Sequence, residues 1–282
     1  MGKVNIITDS TAYLPKDIAK QYNVRIVPLT LQWDGVSYFD GVDIEAEEFY
    51  TRLSNSKTIP TTSQVTIGQF MDVFEPLVKA GEDVIFLGIS FGISATYNSA
   101  VQAAEMLGNP PNLVCVDTRL VSMALSLMVI EAARAAERGA TLAEVKQVAE
   151  DAYPRIGVFF TVDTLEYLHK GGRINSAKRL LGSALNLKPI MEIRDGKIEL
   201  VESVISTKKA TTRMLDLIEK AIAGRTPVRL APFHALALDR MLAMEASAIE
   251  RFHPVEVFRS EISPVVGTHT GPGTLAMAYM VG

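Results

Sequence analysis

The chain has 282 residues, of which 48% are apolar and 21% are charged, and its formal net charge at pH 7 is −4. This length and composition provide a large core and favour two domains or one large domain. A nucleic-acid-binding protein needs a basic face, and the balance of charges argues against one. The longest apolar stretch, residues 120–133, is interrupted by Ser122, Ser126 and Glu131. It is too short to span a bilayer, so we expect no stable membrane insertion.

The only cysteine is Cys115, which lies in the apolar run NLVCV and is expected to be a small hydrophobic residue in a strand. A single cysteine provides no disulfide within the chain, as is typical of proteins in a reducing compartment. The N-terminal residues lead into a strand pattern without the basic and apolar regions of a signal peptide. We therefore expect a cytoplasmic protein.

Strands and helices alternate through the first half of the chain. Strand patterns occupy residues 3–9, 83–89 and 112–116, and helix patterns occupy residues 43–53, 66–81, 96–107 and 118–138. Thr141 and Glu144 have the spacing of a capping box that begins one further helix. This alternation predicts a mostly parallel α/β sheet.

The second half has a different pattern. A strand at residues 157–162 precedes the glycine-containing loop HKGGRI and a helical segment, 176–187. A hairpin then turns at Asp195-Gly196. Further along come helices at 207–223 and 238–252, a strand at 254–262, a glycine-rich loop and a final strand at 274–281. The mixture predicts an α+β domain, and we divide the chain into domains 1–160 and 161–282.

The sequence GISFG, residues 88–92, matches the nucleophile elbow of α/β-hydrolases. Ser90 with His269 downstream would make a serine esterase or thioesterase, with Asp117 or Asp163 as the acid. No HGGG-like oxyanion segment precedes Ser90, however, and several hydroxyl groups surround it. Such a cluster is more typical of a site that donates hydrogen bonds to an anion, so the hydrolase is the alternative interpretation.

Two more segments contain several hydroxyl groups, one just before a predicted helix and the other among glycines. TTSQ, residues 61–64, stands just before a predicted helix, where one hydroxyl could cap the helix and the others could bind an anion. VVGTHTGPG, residues 265–273, is too rich in glycine to be an ordinary strand, and it contains His269. None of the four histidines has metal-ligand spacing, so no metal is expected. Nucleotide-binding glycine motifs are absent too, and we expect no cofactor.

The three segments together could hold one small anion at the mouth of an apolar space. The sequence resembles the DegV family of fatty-acid-binding proteins. The resemblance covers essentially the whole chain and rests on the motifs ITDSTAYLP, TSQ, ISFGISATYNSA, VDTRLVSMALS, LEYLHKGGRI, LNLKPIMEIRDGKIEL and VVGTHTGPG, in this order.

The resemblance implies an N-terminal three-layer α/β/α domain, a C-terminal domain and a long-chain fatty acid, such as palmitate or oleate, between the two. The protein would itself be non-catalytic. Some family members carry the lipid for a bacterial fatty acid kinase, whose separate subunit phosphorylates the bound carboxylate.

The family's carboxylate ligands correspond to Thr62 and Ser94, and its histidine corresponds to His269. Supporting roles fall to Arg173, Thr268 and Gly271. Kinase-coupled members carry an arginine where this chain has Ile205, so the segment expected to meet the kinase has lost positive charge. Phe91 and Ala95 replace smaller residues, which would narrow the entrance to the lipid site.

Overall fold

The computed structural model describes residues 3–182 and 187–282. The strands of the first half are β1 Asn5–Asp9, β2 Arg25–Val27, β3 Thr30–Trp33, β4 Val36–Phe39, β5 Thr61–Ser63, β6 Val84–Gly88 and β7 Leu113–Asp117. Those of the second half are β8 Ile156–Thr161, β9 Lys188–Arg194, β10 Lys197–Val204, β11 Val228–His234, β12 Glu256–Val257, β13 Ser260–Glu261 and β14 Leu275–Val281. The helices are α1 Lys16–Tyr22, α2 Ala46–Asn55, α3 Ile67–Lys79, α4 Thr96–Met106, α5 Ser122–Glu137, α6 Leu142–Ala152, α7 Glu166–Lys170, α8 Thr207–Ile222, α9 Leu238–Phe252 and α10 Pro264–Thr270.

The first half is built on a parallel sheet with the strand order β2-β1-β6-β7. The α/β alternation predicted from the sequence is confirmed. Every residue of β6 is buried, as expected for an inner strand of a parallel sheet covered on both faces. Helix α3 packs on one face, where Phe70 and Phe74 meet the ring of Phe86 with centroids 4.8 and 6.2 Å away. The capping box of Thr141 and Glu144 begins α6 as predicted.

A small antiparallel sheet, in the order β4-β3-β5, lies beside the parallel one and was not anticipated from the sequence. Its strand β5 consists of the first three residues of the TTSQ segment. None of these hydroxyl groups caps the next helix. Thr66 caps α3 instead, in a capping box with Gln69.

The second half forms a larger mixed sheet in the order β10-β9-β8-β14-β11-β12, and β13 also pairs with β11. The hairpin predicted around Asp195-Gly196 is confirmed as β9 and β10. Helices α8 and α9, both predicted within a residue or two, pack on one face of this sheet. The apolar side chains between them form a separate core that includes Phe159, Ile190, Met214, Ile218, Leu230, Met241, Met244 and Met277.

Helix α5 lies between the two sheets and packs against strands of both. Thirteen of its residues are buried, because a helix with neighbours on opposite sides has little face left for water. One continuous core therefore runs from the parallel sheet through α5 to the larger sheet. The division into domains 1–160 and 161–282 stays a prediction, and its boundary lies within β8. Among the helices described in the two ranges, none has the length and apolarity of a membrane span.

Two local predictions differ from the structure. The glycine-rich segment near the C-terminus was expected to be a loop, but residues Pro264–Thr270 form the helix α10. Ser263 caps it and Pro264 is its first residue, both of which are ordinary helix-start signals. The helix predicted at 176–187 is a short 3-10 helix, Asn175–Leu180, in its first part, while residues 183–186 lie outside the described residues.

The aromatic cluster around β6 generates a stability prediction. Replacing Phe86, which is fully buried, by alanine should lower the free energy of unfolding by about 3–5 kcal/mol, because it leaves a cavity beside Phe70 and Phe74. Phe91 is 52% exposed, so Phe91→Ala is the matched control and should change the stability little. Urea denaturation of both variants measures the difference, and equal losses would contradict the packing described for β6.

Candidate functional site

A cavity of about 650 Å³ lies where the first half of the chain meets the second. Thr11, Ile89 and Val121 line it from the carboxyl ends of β1, β6 and β7, which is where open parallel sheets generally bind ligands. Its volume falls in the range of small-molecule sites. Most of the wall is apolar and includes Leu29, Ile67, Ile93, Val158, Phe160, Ile193, Ile198, Phe233, Ile262, Val265, Val266 and Ala276.

Thr62 and His269 meet across this cavity. Strand β5 holds Thr62 opposite Leu31 of β3, and α10 presents His269. The Thr62 Oγ1 and His269 Nε2 atoms are 2.8 Å apart and share a hydrogen bond. Two segments that are 207 residues apart in sequence are joined by this contact.

The imidazole of His269 is neutral at pH 7. Burial of the ring, with a contribution from the positive charge of Arg173, lowers the pKa of His269 to about 4. The ring packs closely on Gly171, where a Cβ atom would lie 2.0 Å from Nδ1. Among the described residues, Nδ1 has no hydrogen-bond partner.

Arg173 and Ser94 complete a polar group on the same wall. The Arg173 Nε donates to the carbonyl of Ile93 at 3.3 Å, and its Nη1 donates to the carbonyl of Gly171 at 2.7 Å. These two bonds fix the guanidinium against the backbone of Ile93, the residue before Ser94. The Ser94 Oγ lies 3.0 Å from Thr96 Oγ1. No carboxylate of the described chain forms an ion pair with Arg173. We call Thr62, Ser94, Arg173 and His269 the headgroup cluster, and all four line the cavity.

Thr268 and Gly271, the other two residues predicted for the site, are not among the described residues that line the cavity. The Thr268 hydroxyl donates to the carbonyl of Pro264 within α10. Gly271 ends that helix with φ of +76°, and a Cβ atom there would lie 2.2 Å from the ring of Tyr167. Both residues shape α10, which carries His269.

The serine hydrolase interpretation is not supported. The Ser90 hydroxyl is fully buried and donates to the carbonyl of Gly196 at 2.7 Å, while His269 is bonded to Thr62. Asp117 accepts from the backbone N–H groups of Phe91 and Arg119. Within residues 3–182 and 187–282, no cluster of three metal-ligating side chains is present either.

Sequence reasoning missed Asp40, which fixes the position of α10. Its carboxyl accepts from the Ser10 hydroxyl at 2.7 Å and from the Val265 N–H at 3.2 Å. Burial raises the pKa of Asp40 to about 7, against the hydrogen bonds that favour its charged form. The segment FDGVD has the composition of a surface turn, so the sequence contains no sign of this long-range contact.

Comparison with known proteins places this architecture among characterised folds. A family model described as "Uncharacterised protein, DegV family" matches residues 3–281. A DegV domain-containing protein of Listeria monocytogenes is 35% identical over 280 residues, which cover 99% of each chain. The structure of a DegV family protein from Thermus thermophilus, described by its fatty acid binding, superposes with a TM-score of 0.94 at 31% identity over the whole of both chains. A stearic-acid-binding protein from Eubacterium ventriosum superposes with a TM-score of 0.90 at 26% identity, over 100% of this chain and 98% of that one.

The environment of His269 predicts an unusual titration. The ring should stay neutral down to about pH 4, and Arg173→Gln should raise its pKa because the neighbouring positive charge is removed. NMR titration of the histidine ring signals measures both values. Arg173→Lys keeps the charge and is the control, in which the pKa should remain low. A midpoint near 6.5 in the unaltered protein would show that the ring is solvated rather than buried.

Proposed function

The chain belongs to the DegV family, and we propose that it binds one long-chain fatty acid, such as palmitate or oleate, in the cavity between its two halves. The observation that carries the proposal is the headgroup cluster, which gathers polar side chains on the wall of an otherwise largely apolar cavity. An amphipathic acid matches this combination. The fatty acids bound by the relatives from Thermus thermophilus and Eubacterium ventriosum support the same ligand class.

Burial of the hydrocarbon chain supplies most of the binding free energy in this proposal. Each methylene group removed from water contributes about 0.8 kcal/mol, so about fourteen of them contribute roughly 11 kcal/mol before the costs of association. The headgroup cluster then has to fix the orientation of the acid rather than provide its affinity. Ile67, Ile93, Phe160 and Phe233 are among the side chains that would contact the chain.

The headgroup cluster would hold the carboxylate with one charge and several hydroxyl groups. Arg173 provides the positive charge, because the imidazole of His269 is neutral at pH 7. With Nε2 protonated, His269 donates to Thr62 Oγ1, and the Thr62 hydroxyl is free to donate to the carboxylate. Ser94 contributes a second hydroxyl donor. In this arrangement the hydrogen bond between Thr62 and His269 directs the Thr62 proton toward the ligand.

The proposed role is that of a non-catalytic carrier located in the cytoplasm. Presentation of the bound acid to the ATP-using subunit of a fatty acid kinase is the second part of the proposal. Ile205 is 68% exposed just after β10, in the segment where kinase-coupled relatives are expected to have a positive charge. A kinase partner of this chain would therefore recognise an apolar side chain at that point.

Ser94→Ala tests the headgroup assignment. The variant loses one donor to a carboxylate, so the affinity for palmitate should fall about tenfold or more. Isothermal titration of the delipidated protein with palmitate measures the change. Ser90→Ala is the matched control, since Ser90 lies four residues away and its hydroxyl is bonded to Gly196 rather than facing the cavity.

Ser90→Ala should bind palmitate with the same affinity as the unaltered protein. Equal affinity in both variants and the unaltered protein would place the carboxylate away from Ser94. Labelling of the unaltered protein by a fluorophosphonate probe, lost in Ser90→Ala, would instead favour the hydrolase.

A further inference from the structure

The N-terminus of α5 is buried at the cavity without a cap. No described side chain caps it, and its first three residues, Ser122, Met123 and Ala124, are at most 3% exposed. Of these three, only Ser122 lines the cavity. Among the described residues, no backbone carbonyl outside the helix accepts a hydrogen bond from these three N–H groups. Free N–H groups at a helix start carry partial positive charge and need an acceptor when they are buried.

The hydroxyl group of Ser122 also needs a hydrogen-bond partner. Ser122 is 3% exposed and lines the cavity. Its hydroxyl forms no hydrogen bond with another described residue. Ser126, one turn further along α5, contrasts with it, because its hydroxyl donates to the carbonyl of Ala12 at 2.8 Å. That bond also ties the start of α5 to the segment that follows β1.

Thr11 lies in this neighbouring segment and lines the same cavity. Its hydroxyl donates to the carboxyl of Asp9, so toward the cavity its oxygen is available as an acceptor only. We call Thr11 and Ser122, together with the Ser122 N–H group, the inner polar wall, because both residues line the cavity. It offers both donors and an acceptor, which suits a hydroxyl group. The nearby carboxyl of Asp9 makes it unsuitable for a second carboxylate.

The inner polar wall is deeper than the headgroup cluster. Ser63, Gln64 and Gln102 line the cavity and are exposed, so they mark its mouth. Taken as whole residues, the members of the headgroup cluster are partly exposed, although the ring of His269 itself is buried, whereas Thr11 and Ser122 are at most 3% exposed. An acid bound by its carboxylate at the cluster would therefore bring its hydrocarbon chain to the inner polar wall.

We propose that the inner polar wall binds a hydroxyl group on the chain of the fatty acid, so that the cavity selects monohydroxylated long-chain acids. This inference rests on the proposed function. A plain hydrocarbon chain would leave the Ser122 hydroxyl and N–H group without a hydrogen-bond partner once the cavity is filled, whereas a hydroxyl on the chain can accept from Ser122 and donate to Thr11.

The test compares stearic acid with a positional series of monohydroxystearic acids by isothermal titration of the delipidated full-length chain. At least one isomer should bind about tenfold more tightly than stearic acid. Ser122→Ala should reduce this preference to about threefold or less while stearic acid binds as before. Ser122→Gly removes the same hydroxyl and suits the positive φ of +52° at this position, so it serves if the alanine variant folds poorly.

Ser90→Ala is the matched control and should keep the full preference, because this buried serine does not line the cavity and its hydroxyl is bonded to Gly196. The inference is overturned if no isomer is preferred while stearic acid binds. It is also overturned if the Ser122 variants weaken all acids equally, which would show a structural role. If neither stearic acid nor any isomer binds, the proposed function itself fails, and the two failures are thus distinguishable.

Discussion

The docking of α10 on the first half of the chain is the constraint on which the candidate site depends. The Tyr50 hydroxyl donates to the carbonyl of Ile262, Asp40 accepts from Val265, and Thr62 is bonded to His269. Gly267 allows the close approach, because a Cβ atom there would lie 2.2 Å from the Tyr50 oxygen. Without this docking, the polar residues of the two halves would not share one cavity.

The site combines few charges with extensive burial. Because desolvation keeps the imidazole of His269 neutral, Arg173 is the cationic group of the headgroup cluster. Desolvation also favours the protonated form of Asp40, which lies outside this cluster. A single charge is sufficient for a ligand with one carboxylate, while the neutral groups orient it through hydrogen bonds. In the same apolar surroundings, each donor on the cavity wall that lacks a hydrogen-bond partner costs free energy. The inner polar wall should therefore favour a ligand that carries a polar group on its chain.

The regular elements were largely predictable, because hydrophobic periodicity and capping residues act locally. Helices α8 and α9 and the hairpin β9–β10 are where the pattern indicates. The helix α10 was missed because its glycines were interpreted as a loop, although Gly267 is required by contact with Tyr50 rather than by backbone conformation.

The candidate site was predictable in part. Thr62, Ser94, Arg173 and His269 were identified through the family resemblance, and the structure brings them to one cavity. Asp40 and the uncapped start of α5 carry no sequence signal, since their roles arise from tertiary contacts between distant segments. Thr268 and Gly271 are predicted for the site from their place in a glycine-rich motif, and this assignment stays a prediction. In the structure the Thr268 hydroxyl donates within α10, and Gly271 is the C-cap residue of that helix.

The most direct test of the central claim is native mass spectrometry of the purified chain, combined with mass spectrometry of its organic extract. The account predicts one equivalent of a long-chain fatty acid per chain, released on denaturation and identified in the extract. An empty protein that also fails to take up added palmitate or oleate would contradict it, because the cavity would then have no affinity for the proposed ligand.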